Sequence, residues 1–398
     1  MLPLDGVLVV SVEHAVAAPF ATRQLADLGA RVVKIERGEG DFARRYDRTV
    51  HGESSHFVWL NRTKESVVLD LRSPDGRRAL EALLARAAVF VQNLGPGAMD
   101  RLGFGPETLR AAHPSLITCS ITGFGTGGPW ESRRAYDALL QSETGLMSIT
   151  GTPGSTAKAG IPVADIAAGM YAFSGILAAL HHRARTGEGA TLAVSLMDAL
   201  AEWMSQPALW RRYSGQEPDR AGGHHASIAP YGPYGAGDGS TVHLAVQNER
   251  EWDRLCVQVL EAPGLAADPR FVTNADRVQH RPALDAEILR RLARMTGPEL
   301  LARLERAEIA HARTRSVGEF LEHEDLAARD RWMDVPLPAG SARTVRPPLD
   351  WAGTDLHVGP VPGLGEHTAA VLAELATPLD VERPAATAES PTGDQTTR

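Results

Sequence analysis

The chain has 398 residues, more than one hydrophobic core usually organises, so a large and a small lobe are expected. Apolar residues make up 43%, enough for a full core, and a formal net charge of −8 argues against nucleic acid as the main partner, although a local basic pocket remains compatible with it. The two cysteines, Cys119 and Cys256, lie far apart in apolar contexts, which excludes a disulfide framework or a zinc site and points to a reducing compartment.

The opening "MLPLDGVLVVSVE" lacks a basic n-region and soon turns strand-like, so no signal peptide is expected. With no run of about 18 apolar residues, no membrane span is expected either, and the setting reads as cytoplasmic. "GVLVVSVE" has the pattern of a buried parallel strand. "PFATRQLADLG" follows as a helix, with Pro19 in its first turn and Gly29 as its stop. "ARVVKIE" is the next strand, so the chain opens on a Rossmann-like strand–helix–strand unit of right-handed connection. A second unit runs through "SVVLDL", the helix "SPDGRRALEALLARA", started by Ser73 and Pro74, and the strand "AVFVQNL". "SLITCSITGFG" leads from a further strand into a Gly-rich loop.

The stretch "AKAGIPVADIAAGMYAFSGILAAL" reads as an apolar helix with one carboxylate, Asp165, at its leading edge. "ATLAVSLMDALAEWM" gives a strand and then a helix. Residues 206–239, rich in Gly, Pro, Tyr and His, read as an ordered, irregular linker. "TVHLAVQN" and "EREWDRLCVQVL" open a second lobe, whose helices continue through "RPALDAEILRRLARM" and "GPELLARLERAE". After about residue 320 come mixed turns and short strands. The tail 377–398 lacks core-forming residues and is expected to be disordered.

Three chemistries fail on their motifs. A nicotinamide site would need G-x-G-x-x-G in the first turn, and "EHAVAAP" contains no glycine, although Glu36 stands at the end of the second strand. No metal site is expected: His181-His182 and His224-His225 are adjacent pairs whose side chains diverge. His224 and His225 remain possible pocket residues. G-x-S-x-G is absent, so no serine hydrolase is indicated. Asp165 has two readings that spacing does not separate. One is the N-cap of a helix beginning at Ile166; the other, which need not exclude it, is a nucleophilic carboxylate at a helix N-terminus, whose N–H groups face developing negative charge.

Several stretches, in order and over about residues 4–375, carry a more specific signal: "VEHAVAAPFATRQLADLGARVVKIERGEGDFAR", "NRTKESVVLDLRSPDGR", "VQNLGPGAMDRLGF", "RRAYDALLQSETGLMSITG" and "GIPVADIAAGMYAFSGILAAL". They resemble the class III CoA-transferases of the formyl-CoA transferase and carnitine CoA-transferase type. The resemblance implies an α/β fold, with a Rossmann-like large domain, a smaller α+β domain and an interlaced homodimer. The division it implies is 1–205 as the first part of the large domain, 206–239 as linker, 240–318 as small domain, and 319–376 as a return segment completing the large domain.

The resemblance assigns the nucleophile to Asp165, in "PVADIAAG". It implies coenzyme A as cosubstrate and no permanently bound cofactor, with partners limited to acyl-CoA, small carboxylic acids and a second copy of the chain. Val16 and Ala17 match the loop beside the pantetheine arm, and Arg37 matches a basic residue at the adenosine end. Leu69 to Arg72 match the adenine side, and Asn93, Leu94 and Gly95 match a turn against the nucleotide. Arg101 matches a phosphate-binding arginine. Arg134, Ala135, Tyr136 and Asp137 match the segment over the thioester.

Two departures separate this chain from formyl-CoA transferase. Val16 replaces a glutamine, and "AGGHHASIAPYGPYG" stands in place of a four-glycine lid. "VEHAVAAP", "DALAEWM", "IAPYGP" and "QNEREW" are instead similar to a subgroup acting on itaconate, mesaconate, citramalate or succinate, with succinyl-CoA as the expected donor. His14, Arg44 and His225 are the residues expected to hold the distal carboxylate. The rival reading is an α-methylacyl-CoA racemase, which shares fold and CoA pocket but needs a His–Asp base pair, and this chain has Tyr136 at the histidine position. A CoA-binding scaffold without activity is a third reading.

Overall fold

In a computed structural model of the chain, residues 1–354 and 358–377 are described. The first lobe alternates strand and helix. Its order is β1 (Leu8–Val12), α1 (Ala17–Asp27), β2 (Arg31–Glu36), α2 (Ser55–Asn61), β3 (Lys64–Val68), α3 (Pro74–Leu84), β4 (Val89–Gln92), α4 (Ala98–Arg101), α5 (Pro106–Ala112) and β5 (Ile117–Thr122). It continues with α6 (Asp137–Glu143), α7 (Leu146–Ile149), the two-residue strands β6 (Gly151–Thr152) and β7 (Ser155–Thr156), the long α8 (Val163–Thr186), β8 (Thr191–Ser195) and α9 (Leu196–Trp203). Six strands form one sheet in the order β3-β2-β1-β4-β5-β8, every neighbouring pair parallel. Near-continuous apolar runs such as Val9, Val10, Val32 and Val33 are fully buried, as a sheet covered on both faces requires.

α1 and α8 cross closely on one face. A Cβ built on Gly169 would stand 2.7 Å from the Ala17 carbonyl oxygen, so only glycine permits this approach. α8 begins three residues before Ile166 and ends at Gly187, which adopts φ +76°. By length and composition alone it is long and apolar enough to cross a membrane, a test that the core helix of a soluble protein also passes. One face, with Ala164, Ala167, Ala168, Ala172, Ile176 and Ala179, is buried in the core shared with α1 and α9, while Met170 and Tyr171 are about 40% exposed.

Residues 206–239 are ordered and include regular elements. They hold most of α10 (Ser205–Ser214) and β9 (Tyr231–Gly235). β9 pairs antiparallel with β10 (Thr241–Ala245), which pairs with β11 (Ala310–Arg313). As an edge strand β9 tolerates Pro233, and its Pro/Gly composition hid it in the sequence. Around this sheet pack α11 (Glu249–Arg254), α12 (Pro263–Ala266), α13 (Asn274–Gln279), α14 (Arg281–Leu292) and α15 (Gly297–Arg306), on a core that includes Trp252, Phe271, Leu284 and Leu304.

After α16 (Val317–Leu321) and α17 (Glu324–Ala328), the hairpin β12 (Trp332–Leu337) and β13 (Gly340–Val345) packs Val335, Leu337 and Ala342 on Phe57 and Val58 of α2. α18 (Thr368–Ala376) rests on α3 and β3. The free edge of β3 is closed there, with Val68 N donating to Thr368 Oγ1 at 2.9 Å and His367 N to the Ser66 carbonyl at 3.0 Å. Of the tail 377–398, only Thr377 lies within the described residues.

Candidate active site

The strand order reverses between β1 and β4, so the chain leaves these neighbours in opposite directions and opens a crevice at their carboxyl ends. Residues just beyond the two strands are tied together across it. His14 N donates to Asn93 Oδ1 at 3.0 Å, and Asn93 Nδ2 donates to the His14 carbonyl at 2.9 Å. Two contiguous cavities open there and share His14, Phe42, Leu94 and Gly95.

The inner cavity, about 490 Å³, contains Asp165. Asp165 is not an N-cap. It occupies the third position of α8, behind Pro162, which offers no side-chain cap. Asp137 caps the helix instead, its Oδ1 accepting from Ala164 N at 2.8 Å and Asp165 N at 3.4 Å, while Oδ2 accepts from Gln141 at 2.7 Å. The first-turn N–H groups of α8 are therefore already engaged, which corrects the expectation that they face a developing charge. Burial, then the negative charge of Asp137, push the Asp165 carboxyl up to about 7. Such a carboxylate is a stronger base and nucleophile than an exposed one, yet half ionised at neutral pH.

Val16 and Ala17 line the same cavity at the start of α1, where the N-cap Val16 supplies no side-chain acceptor. Ala15 just before it is held at φ +61°, its N–H donating to Asp41 Oδ1 at 3.2 Å. Asp41 belongs to a buried ionic group: Lys34 Nζ lies 2.8 Å from it, and Lys64 Nζ donates to Glu13 at 2.7 Å. Asn93, Leu94, Gly95, Arg134, Tyr136 and Asp137 complete the inner wall, Tyr136 largely exposed at the mouth.

The outer cavity, about 800 Å³, is lined by Arg37, Leu69 and Arg72 at its rim. Both arginines are solvent-exposed and held by weak local pairs, Arg37 to Glu39 at 3.3 Å and Arg72 to Asp70 at 2.9 Å. Arg101 lines neither cavity; it stands outside the Gly95–Gly97 turn, Nη1 donating to the Pro96 carbonyl at 3.4 Å.

Of the residues expected to hold a substrate carboxylate, only His14 reaches the cavity, and burial lowers its pKa from the usual value, so it acts as a neutral hydrogen-bonding group. Arg44 is turned away. Its guanidinium binds both oxygens of Glu36, at 2.9 and 2.7 Å, and lies 3.7 Å over the Phe57 ring. This pairing holds Glu36 down to about 2. His225 sits in the second lobe, stacked on Tyr231, and does not line the Asp165 cavity.

Two wall residues carried no sequence signal beyond an aromatic- and histidine-rich stretch, "YDRTVHGESSHFVW". Tyr46 and His56 face each other edge-on at 5.3 Å beside Asp165. Burial, with Asp41 and Asp165, pushes the Tyr46 hydroxyl up to about 12. His56 Nδ1 is buried and has no hydrogen-bond partner among the described residues. No group of three or more His, Cys, Asp or Glu side chains placed to hold a metal occurs among the described residues.

The family model "CoA-transferase family III" matches residues 4–368. The chain is 35% identical over 386 residues to the succinate–glutarate CoA-transferase of Agrobacterium fabrum, covering 94% of this chain and 96% of that one. It is also 35% identical, over 381 residues, to the acetyl-CoA:oxalate CoA-transferase of Acetobacter aceti, with the same coverage. A crystal structure of a CAIB/BAIF family protein from Brucella suis superposes with a TM-score of 0.83 at 35% identity, covering 94% of this chain and 99% of that one.

Proposed function

Since this chain belongs to CoA-transferase family III, we propose that it moves coenzyme A from succinyl-CoA to a small dicarboxylic acid such as itaconate, mesaconate or citramalate, with Asp165 as nucleophile. The observation that carries this reading is the basic, half-buried carboxylate of Asp165, in a cavity that also holds Val16, Asn93, Tyr136 and Asp137.

The chemistry closes without metal or ATP. An Asp165 oxygen attacks the donor thioester carbonyl, the C–S bond breaks, and CoA thiolate leaves a mixed anhydride. The thiolate attacks the Asp165 acyl carbon, the anhydride C–O bond breaks, and the donor acid departs as carboxylate. The acceptor carboxylate then attacks the aspartyl thioester and expels thiolate again. Finally the thiolate attacks the acceptor acyl carbon, giving the new CoA ester and free Asp165. The N–H groups at the uncapped start of α1 are the donors we assign to the tetrahedral oxygens. Water must be excluded throughout, because anhydride and thioester both hydrolyse. His14, Tyr46 and His56 replace Arg44 and His225 in our reading as the hydrogen-bonding end for the acid's distal carboxylate.

We read the working form as an interlaced homodimer. Supporting this, α9 and α10 expose Trp203 (50%), Trp210 (47%) and Tyr213 (81%), a concentration of aromatic surface that monomers rarely present.

Asp165→Ala should abolish transfer while acyl-CoA still binds, and hydroxylamine should trap the acylated wild-type enzyme as a hydroxamate at Asp165. Transfer by the alanine variant would overturn the mechanism. A panel of free acids against succinyl-CoA, glutarate and oxalate included, assigns the acceptor, and solvent deuterium entering the α-carbon would reveal racemase chemistry instead.

A further inference from the structure

A third cavity, of about 790 Å³, lies away from Asp165, between the α1–α2 layer and the strand that follows the β12–β13 turn. Its wall carries five arginines, Arg23, Arg62, Arg329, Arg331 and Arg346, with Trp59 between them. The two inner guanidinium groups share one carboxylate. Arg62 takes both oxygens of Asp27, at 2.9 and 2.7 Å, leaving Arg23 Nε at 3.7 Å from Asp27 Oδ2, beyond hydrogen-bonding distance.

Arg23 is 6% exposed, and its Nε finds no acceptor among the described residues. Of its five N–H donors, one makes a long bond, Nη1 to the Trp59 carbonyl at 3.4 Å. A buried guanidinium so poorly satisfied is unusual, because desolvating its donors costs free energy that hydrogen bonds normally return. Burial, and then the charge of Arg62, pull the Arg23 pKa down to about 10 against the opposing charge of Asp27, and among the described residues the cavity wall sets a single carboxylate, Asp350, against the five arginines. At the rim, Arg329 is held by Asp325, and Arg346 by the carbonyl and carboxylate of Asp330; both rim arginines are largely exposed.

We infer that this cavity is a second, non-catalytic site for a small oxyanion with several acceptor oxygens, a phosphate or a dicarboxylate, bound between Arg23 and the rim arginines. The planar fork of arginine matches such groups bidentately. A ligand there joins α1, α2 and the β13 end of the hairpin, three parts of the chain far apart in sequence.

The test is thermal unfolding of the full chain titrated with inorganic phosphate, and separately with succinate, at constant ionic strength set by chloride. Saturating CoA is present throughout, to occupy the catalytic cleft. The midpoint should rise and saturate with at least one of the two anions, which identifies the source. Arg346→Gln and Arg329→Gln, both exposed and tolerable to the fold, should each raise the half-saturating concentration about tenfold. Arg23→Gln should remove the effect, and Arg72→Gln should leave it intact. No saturable shift with either anion overturns the inference. So does a shift that both rim variants retain in full, or one that Arg72→Gln removes.

Discussion

The carboxylate of Asp137 closes the N-terminus of the helix that carries Asp165, accepting from the N–H of Ala164 at 2.8 Å and of Asp165 itself at 3.4 Å. One acidic side chain thus orients another and at the same time opposes its ionisation. A neighbouring negative charge of this kind disfavours the ionised form of a buried carboxyl. It makes the Asp165 carboxylate basic without any histidine.

The first prediction concerns pH. With Asp165 raised to about 7 by burial and Asp137, the rate of acyl-enzyme formation should fall about tenfold per pH unit below 7, as the nucleophile becomes protonated. Asp137→Asn keeps an acceptor for the Ala164 N–H but removes the charge, so the acid limb should move to lower pH. A pH profile of hydroxamate formation measures this, and an unmoved limb in the variant would show that Asp137 acts through geometry alone.

Stability should run against function at the same residue. A carboxyl at 3.8 in the unfolded chain and about 7 in the folded one is no burden at low pH, where both states are protonated. The penalty grows as pH rises from about 4 and is complete above 7. At about 1.36 kcal/mol per unit it is at most ~4 kcal/mol, and partial exposure brings it nearer ~2. Asp165→Asn should therefore be more stable than wild type at pH 8 by about that ~2 kcal/mol and equal to it near pH 4, as read by urea denaturation at the two values.

Gly169 tests the packing that places Asp165. A methyl group there would stand 2.7 Å from the Ala17 carbonyl and against the Phe20 side chain, so α1 and α8 must separate. Gly169→Ala should destabilise by ~1–3 kcal/mol and lower kcat, because the two helices of that crossing carry the start of α1 and Asp165. Unchanged kcat in a folded variant would mean that the cavity tolerates the displacement.

Arg44 and His56 separate a structural role from a substrate role. Glu36 is held near 2 by Arg44, so its stabilisation is present above about 4.5 and is lost as pH falls through about 2. Arg44→Gln should cost ~3 kcal/mol at pH 7 without changing KM for the acceptor acid. His56→Ala should do the reverse, raising that KM severalfold with little change in KM for succinyl-CoA. Steady-state kinetics with each substrate varied in turn decides between them.

The sheet was largely legible in the sequence. Val/Ile-rich runs, Pro74 after Ser73 and the closing Gly29 are local signals, and each acts on the backbone within a few residues of itself. The same holds for Asp165, whose surrounding "GIPVADIAAG" sets it in the first turn of α8 whatever else folds around it. Within 206–239 the strand β9 was not legible, because the edge position that lets a strand contain Gly-Pro-Tyr-Gly is a property of its neighbours. Arg44 failed for a related reason. An arginine near a cleft and an arginine closed on Glu36 look alike along the chain.

Helix starts, strand runs and the place of Asp165 in the first turn of α8 follow from covalent neighbours, and the amino-acid order determined them unaided. What Asp165 can do was decided by groups that only folding brings near: Asp137, 28 positions away, for its cap and its charge, and Tyr46 and His56 for its walls. Electrostatic and desolvation energies depend on distance and burial in space, and neither quantity is written in the sequence separation of the residues involved.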